Sequence, residues 1–225
     1  MVGTTRYCPK HSLSSSTSIG GTKKVSLKKI IDLKPDIIIA NIEENDKEDV
    51  EELMETFPVF VTYPKNYNDS IEMLKKFQIL FGLSEKINIT NIISEGMKYI
   101  TASKIKSVTY QPRVFYPIWK NPWMSINNDT FIDSMISLAG GQNIFRDSKD
   151  RYPTIDIDTI DNLNPDIILL PDEPYKFTVQ DKLELMKNMD KNKIYLIDGS
   201  WASWYGVRSI TGIVQLQQIL IDDST

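Results

Sequence analysis

One pattern of apolar and polar positions occurs twice along the chain. Residues 26–41, SLKKIIDLKPDIIIAN, combine helically spaced apolar residues with a run of isoleucines after a proline, and residues 156–171, DIDTIDNLNPDIILLP, repeat this order. Ser26 and Asp156 are residue types that cap helices, and each proline ends the short helix before it. Each apolar run predicts a strand that is buried on both faces of a parallel sheet.

The two copies continue in step beyond these strands. A helix rich in charged residues is predicted at 47–55 and at 180–189, and each is followed by a second strand, at 59–62 and at 194–197. A short motif such as L-x-P-D-I-I can recur by chance in an α/β protein, but the matching elements on both sides favour a duplication. The sequence therefore predicts an α/β protein with two lobes of the same plan.

A long helical stretch separates the two copies. Apolar residues at helical spacing predict a helix at 69–81, a break at Gly82, and a second helix from 85 to about 106. Because no proline or Gly/Ser-rich linker interrupts this stretch, we expect a stiff connection and little movement between the lobes. The predicted division is a first lobe at 1–82, a bridging helix at 83–107 and a second lobe at 108–225.

The repeat also predicts that the first half begins late. The second half opens with a strand at 113–119 and a helix at about 129–139 before a Gly-Gly turn, whereas the first half begins near Val2, where that unit should end. A strand and a helix of about 30 residues then have no counterpart, and the strand would be central in a doubly wound sheet. Two explanations stay open: the chain is truncated, or the first half was never complete.

Composition narrows the class of protein. The 225 residues are 41% hydrophobic and 25% charged, which is enough apolar sequence for a folded core. The net charge of −4 argues against a nucleic-acid-binding protein, which usually carries a basic face. No apolar run approaches the roughly 20 residues of a membrane span, and residues 1–8 show no signal-peptide pattern. Cys8 is the single cysteine, which fits a reducing compartment and equally an exported protein without disulfides.

Large aromatic residues follow the predicted strands. In open parallel sheets ligands bind beyond the carboxyl ends of the strands, so we expect these side chains at the edge where a ligand would lie. Any single one could instead cover the core, but several aromatic faces together suit a flat or bulky ligand better than a bare ion or a sugar. The residues concerned are Tyr63, Trp119, Trp123, Tyr175, Phe177, Trp201 and Trp204.

Acidic loops come directly after the two matched strands. NIEEN at 41–45 and PDEPY at 171–175 occupy equivalent places, and each contains two carboxylates. These groups could hydrogen-bond a ligand or contact basic groups on a partner, and the alternative for each is an ordinary solvated charge.

The usual catalytic constellations are missing from the sequence. His11 is the single histidine, and no G-x-S-x-G, P-loop or G-x-G-x-x-G motif occurs. Cys8 and His11 have the spacing of a metal pair, but a structural zinc site needs four ligands and no second Cys/His pair exists. We therefore expect no metal site, and a protein that binds a ligand rather than an enzyme.

Several motifs together resemble one known family. GGTK, W-K-NPWM, DEPY and WYG-x-R are similar to the helical-backbone metal-receptor family, the cobalamin- and iron-chelate-type substrate-binding proteins of ABC importers. The resemblance implies two Rossmann-like lobes bridged by a long backbone helix, with a corrinoid or other large metal chelate captured between them. It also implies delivery to an importer permease, a periplasmic or cell-surface location, no intrinsic cofactor and a monomer. The family begins with a further strand and helix, in agreement with the repeat.

The resemblance assigns candidate ligand contacts in both lobes. Acids on the lobe surface, Asp46 and Glu48, are expected to dock on permease arginines. Two other hypotheses stay open: an intracellular corrinoid-handling protein without a transport role, and an enzyme that uses the acidic loops. The ligand contacts are Tyr7, Cys8, Asn41, Glu44, Trp119, Trp123, Glu173, Tyr175, Trp204 and Tyr205, and the strand-end argument adds Tyr63.

Overall fold

Two α/β units of different size make up the chain. The computed structural model describes residues 1–9, 15–83, 88, 91, 93–96, 98, 110–187 and 193–222. The units are Met1–Tyr63, called unit 1, and Pro64–Thr225, called unit 2. His11 and most of the expected bridging helix at 83–107 lie outside the described residues, although 93–96 are helical. Two lobes bridged by one helix therefore stay a prediction.

The described part of unit 1 contains two short ladders of strands and two helices. Its elements are β1 (Gly3–Thr4), β2 (Thr17–Ser18), α1 (Leu27–Leu33), β3 (Ile38–Asn41), α2 (Lys47–Met54) and β4 (Val59–Thr62). β1 pairs in parallel with β2, and β3 pairs in parallel with β4. As predicted, Ser26 caps α1: its hydroxyl accepts the backbone N–H of Lys29.

Unit 2 is built on a four-stranded parallel sheet. Its elements are α3 (Tyr67–Leu80), β5 (Arg113–Phe115), β6 (Trp123–Met124), α4 (Phe131–Leu138), β7 (Gln142–Asn143), β8 (Thr154–Ile155), α5 (Ile157–Leu163), β9 (Ile167–Pro171), α6 (Val179–Leu185), β10 (Ile194–Ile197), α7 (Ser200–Ser203) and α8 (Val207–Asp222). The strand order is β10–β9–β5–β7, and β6 pairs antiparallel with β8. β5 thus lies in the interior of the sheet, between β9 and β7.

β9 is buried along its whole length. Ile167 and Leu169 pack into one apolar cluster with residues of α4 and α8, whereas Ile168 and Leu170 pack into a second cluster that includes Leu185 of α6. Each such side chain contributes about 1.5–3 kcal/mol by leaving water. The prediction of a strand buried on both faces is confirmed for β9 and wrong for β3, in which Ile39 is 44% exposed.

Matching backbone features support the duplication that the sequence predicts. Lys34 and Asn164 stand at equivalent positions, and both take the left-handed conformation, with φ of 46° and 45°. β4 and β10 have the bounds expected from the pattern, 59–62 and 194–197. The two halves therefore share local structure as well as sequence.

The helix expected at 69–81 is α3, and the structure groups it with unit 2. Tyr67 lies in the same apolar cluster as Met135 of α4, and its backbone N–H donates to Ser134 Oγ at 3.1 Å. Unit 1 consequently ends at Tyr63, earlier than the boundary at residue 82 suggested by the sequence. None of the helices in the described ranges combines the length and apolar character that crossing a membrane requires.

Candidate functional site

Two aromatic side chains meet at the carboxyl edge of the unit 2 sheet. Trp119 follows β5 and Tyr175 follows β9, and because these strands are parallel both residues come to the same edge. Their rings contact edge to face, with centroids 5.5 Å apart. Trp119 keeps 45% of its surface exposed. We call Trp119 and Tyr175 the aromatic rim, since the structure brings this predicted pair together and leaves part of it open.

Trp123 was expected in the same group, but the structure places it in the core. Its ring stacks on Phe177 with centroids 5.6 Å apart and an interplanar angle of 14°. A second contact joins it to Phe115 of β5, and the side chain is 8% exposed. Trp123 thus packs in the core beneath the loop that carries Trp119, and its assignment as a ligand contact stays a prediction.

Lys120 binds this loop to α6. Its Nζ donates to Asp181 Oδ1 and Glu184 Oε2, both at 2.7 Å. Burial alone would lower the pKa of Lys120, but the two hydrogen bonds outweigh it and leave the pKa raised. Burial raises the pKa of Asp181, but bonds from Lys120 and Thr178 leave it lowered. The charged forms of Lys120 and Asp181 are thus favoured, and their ion pair holds the loop that carries Trp119 against α6.

Glu173 attaches the loop that carries Tyr175 to residues around α7. Its Oε1 accepts hydrogen bonds from Ser203 Oγ at 2.9 Å and from the indole N–H of Trp204. Next to it, Asp172 Oδ1 accepts the backbone N–H of Gly199 at 2.8 Å. A side chain at Gly199 would lie 2.6 Å from Glu173 Cγ, so only glycine fits there. The DEPY loop is therefore tied to the start and end of α7.

Trp204 and Tyr205 have different surroundings although they are adjacent. The Arg208 guanidinium lies 4.6 Å from the centroid of the half-buried Trp204 ring, a favourable cation–π geometry. The Tyr205 ring packs edge to face on Phe131 of α4, with centroids 4.6 Å apart, against the core. Trp204 thus lies beside the acidic DEPY loop, whereas Tyr205 faces the interior of unit 2.

A buried hydroxyl lies in the same unit. Tyr116 follows β5 and is fully buried, and its hydroxyl has no hydrogen-bond partner among the described residues. Burial raises the pKa of Tyr116 strongly, and the negative charges of Glu173, Asp172 and Asp198 raise it further. The phenol is therefore neutral at any physiological pH, and the three carboxylates place a negative potential at this edge of the sheet.

In unit 1, the side chain of Asn41 builds the turn of the NIEEN loop. Its Oδ1 accepts the backbone N–H of Glu43 at 2.9 Å, and its Nδ2 donates to Thr62 Oγ1 at 3.1 Å. Its own backbone N–H donates to Asn45 Oδ1 at 2.8 Å. Because both ends of the amide are engaged, Asn41 shapes the loop, and Glu44 on that loop is exposed.

The remaining candidates in unit 1 lie mostly at the surface. Tyr7 and Cys8 are exposed, and the Arg6 guanidinium lies 5.9 Å from the centroid of the Tyr7 ring. Tyr63, after β4, is half-buried. Asp46 and Glu48, at the start of α2, are exposed acids available to a partner. Across the described ranges, no three His, Cys, Asp or Glu side chains come close enough to hold a metal ion.

Sequence reasoning missed the residues that hold the rim in place. In the sequence Lys120 looks like an ordinary surface lysine, because its partner Asp181 in α6 lies 61 residues further along the chain. Thr178 and Asp181 form a capping box at the start of α6. The spacing T-x-x-D was visible in the sequence and could have indicated this helix start.

Comparisons with known proteins agree on one family. A family model described as periplasmic binding protein matches residues 1–198. The vitamin B12-binding protein of Vibrio parahaemolyticus is 20% identical over 202 residues, which cover 85% of this chain and 70% of that protein. The match to its counterpart in Vibrio vulnificus covers 52% of that protein, so the chain spans about half the length of this relative.

Solved structures of similar fold bind more than one ligand class. The periplasmic vitamin B12-binding protein of Vibrio cholerae superposes with a TM-score of 0.75 at 18% identity, covering 93% of this chain and 83% of that one. The periplasmic heme-binding protein from Roseiflexus gives a TM-score of 0.77 at 16% identity, covering 94% and 85%. At such identities the likeness shows a shared α/β fold and leaves the ligand open.

Proposed function

Because the chain belongs to the periplasmic binding protein family, we propose that it captures a large metal chelate, in first place a corrinoid, for an ABC-type importer. The family resemblance predicted from the motifs is confirmed. Members of this family are substrate-binding proteins and not enzymes, which confirms the expectation of binding without catalysis. Their ligands are cargo rather than resident cofactors.

The aromatic rim is the observation that carries the proposal. Trp119 and Tyr175 present ring surfaces at the carboxyl edge of a parallel sheet, where ligands of open α/β sheets bind. Lys120 and Glu173 hold the two rim loops by charge-assisted hydrogen bonds, so little conformational entropy would be lost when a ligand is bound. A rigid aromatic surface suits a broad macrocycle, because such a ligand gains contact area without specific hydrogen bonds.

Heme is the second candidate ligand, favoured by the heme-binding protein of the same fold. Protein-bound heme iron takes an axial His, Cys, Met or Tyr. The exposed Tyr7 and Cys8 of unit 1 are available side chains of these types. Heme binding that depends on Tyr7 would favour this ligand over a corrinoid.

Ligand binding is tested by titrating the purified chain with cobalamin, heme and a ferric siderophore. We expect one of them to quench tryptophan emission and to raise the melting temperature, since a ligand at a hundredfold excess over its Kd stabilises by about 2.7 kcal/mol. Trp119→Ala should weaken binding at least tenfold. Tyr152→Ala is the matched control, because Tyr152 is an exposed aromatic residue of unit 2 outside the rim. The proposal fails if none of the three ligands changes either signal.

We also propose that the protein works outside the cytoplasm and that exposed acids of unit 1 meet a permease. Asp46 and Glu48 are accessible to arginines of a partner. The double variant Asp46→Lys, Glu48→Lys should lower uptake in cells while the ligand Kd in solution stays unchanged. A loss of ligand affinity in this variant, or unchanged uptake, would contradict the docking role.

A further inference from the structure

A pocket of unit 2 lies apart from the aromatic rim. Trp201 was expected among the aromatic residues at the strand ends, but the structure places it where β10, α7 and α8 meet around a cavity of about 260 Å³. This cavity shares no lining residue with the rim. Its walls are Tyr195 of β10, Trp201 of α7, and Gln215, Gln218 and Ile219 of α8, and we call it the amide pocket.

The walls of the amide pocket are held in place by the core. Tyr195, Trp201 and Ile219 are partly buried and pack against the same apolar cluster as the buried residues of α4 and α8. Gln218 and Ile219 follow Gln215 by three and four residues, so all three side chains lie on one face of α8. The two aromatic rings and the helix face that carries the amides are therefore positioned before any ligand arrives, which lowers the entropy lost on binding.

The polar groups of the amide pocket are available to a ligand. Within the described residues, the side-chain amides of Gln215 and Gln218 and the indole N–H of Trp201 make no hydrogen bond, and none of these groups is fully buried. Each amide offers an acceptor oxygen and two donor hydrogens. No carboxylate, ammonium or guanidinium group is among the described residues that line the cavity. The pocket thus combines aromatic surface with hydrogen-bonding groups that carry no charge.

We infer that the amide pocket binds one ring of a neutral saccharide. The hydroxyl groups of a sugar both donate and accept hydrogen bonds, as the amides of Gln215 and Gln218 do. The C–H face of the same ring packs on the electron-rich face of an aromatic side chain such as Trp201. The cavity is smaller than the roughly 300–1,000 Å³ of pockets for drug-sized ligands, which limits the occupant to about one ring. A charged ligand would lose hydration in this pocket without meeting an opposite charge.

Nuclear magnetic resonance of the nitrogen-15-labelled full chain tests this inference, because its four tryptophans give only four indole N–H signals. Trp201→Phe and Trp119→Ala identify the signals of these two residues. The probes are D-glucose, D-galactose and D-mannose, and a ligand of about 12 non-hydrogen atoms has an expected Kd of roughly 2 mM. We expect at least one sugar to shift the Trp201 signal saturably while the Trp119 signal stays constant. The uronic acid of that sugar should bind about fivefold more weakly.

A pair of glutamine variants separates binding in the pocket from unspecific effects of sugar. Gln218→Leu should weaken binding about fivefold, the effect of losing one neutral hydrogen bond. Gln180→Leu is the matched control and should leave the Kd unchanged, because Gln180 is likewise an exposed helical glutamine but lies outside the pocket, in α6.

Three results would overturn the inference: no shift of the Trp201 signal at roughly twenty times the expected Kd, equal binding of the uronic acid, or normal binding by Gln218→Leu. A larger shift with the neutral peptide N-acetyl-triglycine amide than with any sugar would overturn it in favour of a peptide ligand. No chelate is added in these measurements, so their failure would leave the proposed capture of a chelate untouched.

Discussion

Gly212 allows two opposing effects of one methyl group to be compared. It lies within α8, where glycine is about 1 kcal/mol less favourable than alanine, so helix propensity alone predicts that Gly212→Ala stabilises the protein. A Cβ atom at this position would, however, overlap the carbonyl oxygen of Trp201 and lie 2.7 Å from its carbonyl carbon. Both are backbone atoms of α7 and cannot rotate away.

The steric effect should outweigh the propensity. The two helices must separate by about 1 Å to reach normal contact distances, and the buried residues Ile213, Leu216 and Leu220 then lose close packing. Overpacking of this kind costs about 3 kcal/mol when the structure cannot adjust locally. After the gain of about 1 kcal/mol from propensity, we expect a net loss of about 2 kcal/mol and a melting temperature lower by roughly 4–8 °C.

Thermal unfolding followed by tryptophan emission measures this loss, because all four tryptophans lie in unit 2. Gly96→Ala is the matched control: Gly96 is also helical, but the three atoms nearest to its added Cβ all belong to the side chain of Ile210, with Cδ1 nearest at 2.9 Å, and a side chain can rotate away. We expect a change of less than 2 °C for the control. A Gly212→Ala protein that melts at or above the parent temperature would show that the α7–α8 contact is not as close as the structure indicates.

Three further substitutions test the surroundings of the rim. Lys120→Met should lower the free energy of unfolding near neutral pH, measured by urea titration. Because the pKa of Asp181 is lowered in the folded protein, this loss of stability should shrink as the pH falls below about 3.8. A loss that stays constant with pH would contradict the pairing of Lys120 with Asp181. Tyr116→Phe removes a buried hydroxyl that has no partner in the described residues, so the free energy of unfolding in urea should be unchanged or higher by up to about 1 kcal/mol. A lower free energy of unfolding would show that the hydroxyl has a hydrogen-bond partner. Trp204→Phe removes a donor to Glu173 and should cost about 1 kcal/mol in the same assay, whereas an unchanged midpoint would argue against that hydrogen bond.

Local sequence determined the elements of the repeat well. The left-handed residues Lys34 and Asn164 follow short helices, and each precedes a proline and then an apolar run. These features lie within about ten residues of one another, so the helix and strand that they specify can be predicted from local sequence alone. The position of the rim was readable for a related reason, since parallel strands bring their carboxyl ends to one edge.

The partners of individual side chains could not be predicted in this way. Trp119 and Trp123 are four residues apart in one loop, yet one is partly exposed and the other stacks on Phe177, far along the chain. Glu173 is a plausible ligand contact from sequence, but the structure engages it with Trp204. Such outcomes depend on which distant side chain occupies the space opposite, and no local pattern contains that information.

The positions of the single cysteine and the four tryptophans allow resonance energy transfer to be measured between the two units. Cys8, the single thiol, is exposed in unit 1, while every indole lies in unit 2. One dye attached to Cys8 would therefore accept excitation energy from donors that belong entirely to the other unit, without any engineered mutation. In the ligand-free protein, the spread of transfer distances would show whether the stiff connection expected from the sequence holds the two units still, because movement between them would broaden that spread.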